Sequence, residues 1–158
     1  MHVPQSSRYV FSVNTRIDAD TLKLAHGHIT RDIIGAFYDV YNGLGHGFLE
    51  SVYANALPLA LGARGVQYVR EVQLPVRYGT TLVGEFRADL IVQASVVVEI
   101  KAAERIIAAH EAQLLNYIRA SGLTAGLLLN FGPRAQFRRL MWTGARAETD
   151  ELLTTDTN

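Results

Sequence analysis

The sequence predicts an α+β sandwich: a mixed β-sheet flanked by helices, in the order α-α-β-β-β-α-β with one further edge strand. Three observations carry that reading. Residues 29–41 and 49–64 repeat apolar side chains at spacings of three and four, the period of a helix with one buried face. Three consecutive β-rich runs between 68 and 101 are joined by connections too short for a crossover, so they form an antiparallel meander. A third helical stretch then separates the last of these runs from an apolar strand at 124–131, which can lie parallel to it through a right-handed crossover.

Taken in order, residues 1–25 show little apolar periodicity and read as an N-terminal extension, with a short strand at Tyr9–Val13. The first helix is expected from Ile29 to Tyr41. Ile33, Ile34, Phe37, Tyr38, Val40 and Tyr41 supply its apolar face, and Thr30 is a candidate N-cap. Asn42-Gly43-Leu44-Gly45-His46-Gly47 breaks it. The second helix runs from about Leu49 to Arg64, interrupted by Pro58 and stopped by Gly65. The strands are Tyr68–Tyr78, Thr81–Val92 and Ser95–Lys101. Then come a helix from Ala108 to Ala120 capped by Gly122, a strand at Thr124–Phe131, and an edge strand at Phe137–Trp142. Residues 26–145 make one domain, and the acidic, Thr-rich stretch 146–158 reads as unstructured.

The 158 residues, 49% hydrophobic and 19% charged, suit one globular core. No apolar run approaches the length of about 20 residues that a spanning helix needs, and Met1-His2-Val3-Pro4-Gln5 does not resemble a signal peptide, so no membrane partner is expected and the cytoplasm is the default location. The absence of cysteine excludes disulfides and thiolate metal sites. A net charge of zero argues against a strongly basic nucleic-acid binder but allows a local basic rim.

The chemistry concentrates in R-A-D-L-I-V-Q-A-S-V-V-V-E-I-K, residues 87–101. Alternate residues of a strand share a face, so Glu99 and Lys101 point one way, and Glu85, Arg87, Asp89 and Ile91 share a face of the preceding strand. Across an antiparallel pair Asp89 comes close to Glu99. Two adjacent carboxylates on apolar strands are costly without a cation, and a hard ion with oxygen ligands, Mg²⁺ or Mn²⁺, resolves the conflict. The Ile100 carbonyl is a further candidate ligand. Lys101 would orient an attacking water or offset charge developing on a phosphate. A buried Asp–Lys–Glu ion network without turnover accounts for the same triplet.

Two helices add candidates. Glu50 opens the second helix after the glycine turn, with Tyr53 on the same face; it is either a further metal carboxylate or a first-turn acid that complements the helix dipole. His110, Gln113 and Tyr117 form a polar stripe on the third helix, either a solvated face or a wall beside the site, where Gln113 could touch a water, a phosphate or Lys101. Arg105 and Arg119 are candidate phosphate contacts.

Gly47-Phe48-Leu49-Glu50-Ser51-Val52-Tyr53 resembles the G-x-x-E-x-x-Y signature of the bacterial GxxExxY protein family, and the likeness extends from about Ile29 through Leu140. It includes Arg87-Ala88-Asp89-Leu90, Val98-Glu99-Ile100-Lys101, Glu111 through Tyr117, and Leu128-Leu129-Asn130-Phe131-Gly132. Tyr41 and His46 depart from it, standing where histidine and proline are common. The resemblance implies a place in the PD-(D/E)XK nuclease-like superfamily and its restriction-endonuclease-like α-β-β-β-α-β core. It further implies that Asp89, Glu99 and Lys101 occupy metal and catalytic positions, with Glu50 and Gln113 contributed by helices. The expected activity is Mg²⁺- or Mn²⁺-dependent hydrolysis of nucleic-acid phosphodiesters, DNA ahead of RNA. Glu50, Asp89, Glu99 and the Ile100 carbonyl would be ligands, and Tyr53, Arg87, Arg105 and Tyr117 would face substrate. The alternative is a non-catalytic nucleic-acid-binding or regulatory module that keeps the fold. A homodimer or a protein partner is left open.

Overall fold

The computed structural model describes residues 19–144 and 147–149. The strand expected at Tyr9–Val13 lies outside the described residues. The elements are α1 (Ala19–Leu44), α2 (Glu50–Ala63), β1 (Tyr68–Tyr78), β2 (Thr81–Val92), β3 (Val96–Lys101), α3 (Ala108–Ser121), β4 (Ala125–Phe131), β5 (Ala135–Trp142) and β6 (Ala147–Thr149).

The strands form one mixed sheet in the order β1-β2-β3-β4-β5-β6. β3 and β4 run parallel, from Val96↔Ala125 to Lys101↔Asn130, because α3 carries the chain back between them. The other neighbours are antiparallel. Helices cover both faces, so the central strands β3 and β4 are buried on both sides and read as continuous apolar runs. On one face α1 and α2 pack Ile33, Phe37, Tyr53, Leu57 and Leu61 against Leu90, Val98, Ile100, Leu127, Leu129 and Phe131. On the other, Leu114 and Ile118 of α3 pack against Ile91, Val97 and Leu128. Gly126 lets α3 approach: a Cβ there would lie 2.6 Å from Ile118 Cδ1.

Three local expectations change. α1 starts at Ala19, so Thr30 is a buried residue of the helix interior and not its cap. The stretch A-D-T-L-K-L-A-H has adequate helix formers but no apolar stripe to announce them. Within the expected unstructured tail, Ala147–Thr149 pairs with β5, so β6 and not β5 ends the sheet. No helix among the described residues is long and apolar enough to cross a membrane.

Candidate functional site

The β2–β3 ladder is short. Leu90↔Val98, Ile91↔Val97 and Val92↔Val96 pair, and the regular register stops there. Beyond it, side chains take over from carbonyls. The Ile100 N–H donates to Asp89 Oδ2 at 2.8 Å, and the Asp89 N–H donates to Glu99 Oε1 at 3.0 Å. Each carboxylate therefore reaches the backbone of the opposite strand, and the two occupy the place where the strands stop pairing.

The alternation of β2 slips at the same point. Phe86 and Ala88 pack on the α3 side, Leu90 and Val92 on the α1/α2 side, and Ile91 on the α3 side again. Opposite Asp89, Glu71 of β1 has a φ of 51°, between the pairs Arg70↔Leu90 and Val72↔Ala88. Simple alternation, which puts Glu85, Arg87, Asp89 and Ile91 on one face, fails here. Arg87 points away from the side taken by Phe86 and Ala88, and forms an exposed ion pair with Glu71 at 3.2 Å.

Glu99 is 4% exposed. Burial pushes its carboxyl up to about 8, and the nearby Asp89 carboxylate adds to the rise; the Asp89 N–H and the Lys101 charge oppose it without cancelling it. Without a cation, this pair holds a proton at neutral pH. Tyr117 of α3 feels the same charges. Its hydroxyl is raised by burial first and then by Glu99 and Asp89, while the bond from Gln113 Nε2 (3.0 Å) acts in the other direction. Gln113 and Tyr117 thus form a polar wall within electrostatic reach of the carboxylates. Two other candidates on α3 have other work. His110 Nδ1 accepts the Ile107 N–H at 3.2 Å, an N-terminal cap of α3, and the Arg119 guanidinium lies 4.7 Å from the centre of the Trp142 ring.

Lys101 ends β3, half-buried, opposite Asn130 of β4. Asn130 is fully buried, and its amide bonds both polar groups of one residue: the Ala103 N–H at 2.9 Å and the Ala103 carbonyl at 3.0 Å. A Cβ at Gly132 would collide with the Ala103 carbonyl, and Gln136 Oε1 accepts the Ile106 N–H at 3.3 Å. These contacts fix the loop 102–107, which follows Lys101 and carries exposed Arg105. Asn130 was not among the expected site residues. Its signal was a single amide inside the apolar strand A-G-L-L-L-N-F.

Tyr53, expected against substrate, is fully buried. Its hydroxyl donates to the Gly45 carbonyl at 2.7 Å and accepts the Phe48 N–H at 3.2 Å, while its ring stacks on Phe131 with centroids 4.4 Å apart. The Tyr41 hydroxyl donates to the Gly132 carbonyl at 2.8 Å. The two tyrosines clamp the glycine turn to the carboxyl end of β4, beside Lys101. Gly45 and Gly47 have φ values of 68° and 107°, which suit glycine at both positions. Glu50, exposed, opens α2 at this same end of the sheet. Among the described residues no group of three His, Cys, Asp or Glu is disposed to hold a metal ion, so the acids brought together are Asp89 and Glu99, without Glu50 as a third. A cavity of about 220 Å³ lined by Gln67, Tyr68, Val69, Ile91, Gln93 and Ala94 lies at the opposite end of the β2–β3 pair.

Residues 27–140 match the family model described as the PD-(D/E)XK nuclease superfamily. Among solved structures, the crystal structure of SSO0001 aligns with a TM-score of 0.47 and 21% identity over 76% of this chain. The chain spans 63% of the length of that protein, less than two thirds. No curated protein matches the sequence.

Proposed function

The chain belongs to the PD-(D/E)XK nuclease superfamily, whose members are usually hydrolytic nucleases that use divalent metals, and from that membership we propose a metal-dependent nuclease centred on Asp89, Glu99 and Lys101. The observation that carries the reading is the carboxylate pair. Two acids share one site, one of them, Glu99, nearly buried and raised to about 8, a rise that the Lys101 charge offsets only in part. A hard divalent cation would remove that conflict, and the donors are all oxygen, as Mg²⁺ or Mn²⁺ prefers. Mg²⁺ commonly uses one or two carboxylates together with waters and substrate phosphate, so a third protein acid is not required.

Asp89 and Glu99 would hold the ion. A strand residue directs its N–H and its carbonyl to the same edge, so the Ile100 carbonyl, whose N–H bonds Asp89, faces the same gap and is a third oxygen donor. When bound, such an ion supplies positive charge to the phosphate and lowers the pKa of the attacking water. Lys101 orients that water and offsets charge developing on the phosphate oxygens. Gln113 and Tyr117 hold the substrate or its water from the α3 side, and Arg105, on the loop fixed by Asn130, contacts a neighbouring phosphate. Glu50 acts from the start of α2, outside the ligand pair, on water at the site. Arg87, already paired with Glu71, has a minor role in phosphate binding.

The test is cleavage of single- and double-stranded DNA and RNA with Mn²⁺, Mg²⁺ or EDTA. Wild type cuts with metal and not with EDTA, and Asp89→Ala and Lys101→Ala each lose at least about 100-fold. Activity that persists in both variants places the chemistry elsewhere.

A further inference from the structure

The carboxyl end of β3 is surrounded by segments that the sheet topology brings to one place. β3 and β4 are parallel, so Lys101, Arg105 and the β4–β5 turn with Arg134 share one end of the sheet. The glycine turn is clamped to that end by Tyr53 and Tyr41, and presents Phe48 and Leu49 at 50% and 78% exposure. Phe48 is held by its N–H bond to the Tyr53 hydroxyl and by an edge-on ring contact with Tyr53 at 6.3 Å.

On the other side stands the β1–β2 hairpin. β2 runs antiparallel to β3, so its residues before Asp89, Thr81–Phe86 among them, and the facing part of β1 extend past the site. At about 3.3 Å per residue the ribbon projects roughly 20 Å. Its outer part exposes Tyr78 at 83%, Val83 at 62% and Leu82 at 48%. The paired carboxylates thus lie between two rims, each with an exposed aromatic residue.

The charge around these rims is nearly balanced. Lys101, Arg105 and Arg134, with Arg77 and Arg87 of the hairpin, stand against exposed Glu50, Glu104, Glu71 and Glu85, and Arg87 is already paired with Glu71. A duplex presents its phosphates outward and is gripped by rows of cations, which this end lacks. An unpaired strand exposes the faces of its bases, and stacking on exposed aromatic side chains such as Phe48 and Tyr78 supplies affinity that a stacked duplex cannot take up. We infer that the substrate is an unpaired nucleic-acid strand, a single strand or frayed end, whose bases stack on Phe48 and Tyr78 on either side of the scissile phosphate. This rests on the nuclease reading for the location of that phosphate.

The test measures binding of the full chain to a fluorescent single strand and to a blunt duplex of the same sequence, with Ca²⁺ as the divalent ion and across a salt series. The single strand binds at least tenfold more tightly. Phe48→Ala and Tyr78→Ala each weaken it by roughly tenfold with the salt slope unchanged, and Phe48→Trp keeps wild-type affinity. Thermal melting checks that the variants fold; Tyr78, the more exposed of the two, carries the test should Phe48→Ala unfold. Equal or tighter duplex binding, or alanine variants that bind like wild type, overturns the inference. Cleavage is scored separately. Metal-dependent cutting of duplex that disappears in Asp89→Ala, without single-strand preference, removes this inference and leaves the nuclease reading standing. Single-strand preference lost in both alanine variants, without cutting of any substrate, supports the inference and removes the nuclease reading.

Discussion

Asp89 and Glu99 are joined through each other's strands: Asp89 Oδ2 accepts the N–H of Ile100, and Glu99 Oε1 accepts the N–H of Asp89, at 2.8 and 3.0 Å. This arrangement fixes both carboxylates by main-chain donors, so neither needs a cation for its position. Their charge is another matter: on the proposed reading a divalent cation would replace the proton that Glu99 otherwise holds, and that exchange makes the site testable.

Metal binding should displace a proton. Glu99 holds its proton up to about pH 8, because burial and the Asp89 charge both favour the neutral form, and a ligating carboxylate must give that proton up. Apparent Mn²⁺ affinity should therefore rise with pH by up to about tenfold per unit between roughly pH 5 and 8, then level off. Calorimetry in buffers of different ionisation enthalpy should count close to one proton released at pH 6. A flat pH profile would show that Glu99 is not a ligand.

Stability of the metal-free protein should move the opposite way. Glu99 has a folded-state pKa near 8 and an ordinary value of 4.5, so folding binds the proton more tightly than unfolding does. The resulting penalty is absent below about pH 4.5, grows as pH rises, and is complete above about 8. Glu99→Gln keeps an acceptor for the Asp89 N–H and removes the titration. Its melting temperature relative to wild type should be higher at pH 9 than at pH 5, measured in EDTA. An equal difference at both pH values contradicts this.

Asn130→Ala should destabilise by about 2–4 kcal/mol, because the Ala103 N–H and carbonyl both lose a buried partner. Urea unfolding reads the loss. Hydrogen exchange should show faster opening in the loop 102–107, while amides of α1 keep their protection relative to global unfolding.

Tyr53→Phe removes the hydroxyl that joins Gly45 to Phe48 and leaves the stack on Phe131. It should cost about 1–2 kcal/mol, whereas Tyr53→Ala, which also empties a fully buried site, should cost about 3–5 kcal/mol. Similar small losses in both would mean that the ring does not anchor the turn.

The meeting of Asp89 with Glu99 was legible because a short hairpin sets which residues of the two strands come opposite each other. The sheet order followed from the same arithmetic, with a helix between β3 and β4 requiring a parallel pair. The slip of β2 at Asp89 was not legible. It coincides with a carboxylate standing in for a ladder carbonyl and with the positive φ of Glu71 opposite, and no periodicity in the residues records either. Tyr53 shows another boundary. Helical spacing puts it on the face of Glu50, yet the helix turns enough over three residues that one is exposed and the other completely buried. Asn130 was visible as a letter, but its partner, 27 residues earlier in the chain, exists only once β3 and β4 are side by side.

The most direct measurement is anomalous diffraction from a crystal soaked in Mn²⁺. The account predicts a single ion bound by Asp89 and Glu99 oxygens at about 2.1–2.4 Å, with the Ile100 carbonyl beside it, and its disappearance in Asp89→Ala. An ion held by other residues, or an empty carboxylate pair at saturating Mn²⁺ and pH 8, would contradict it.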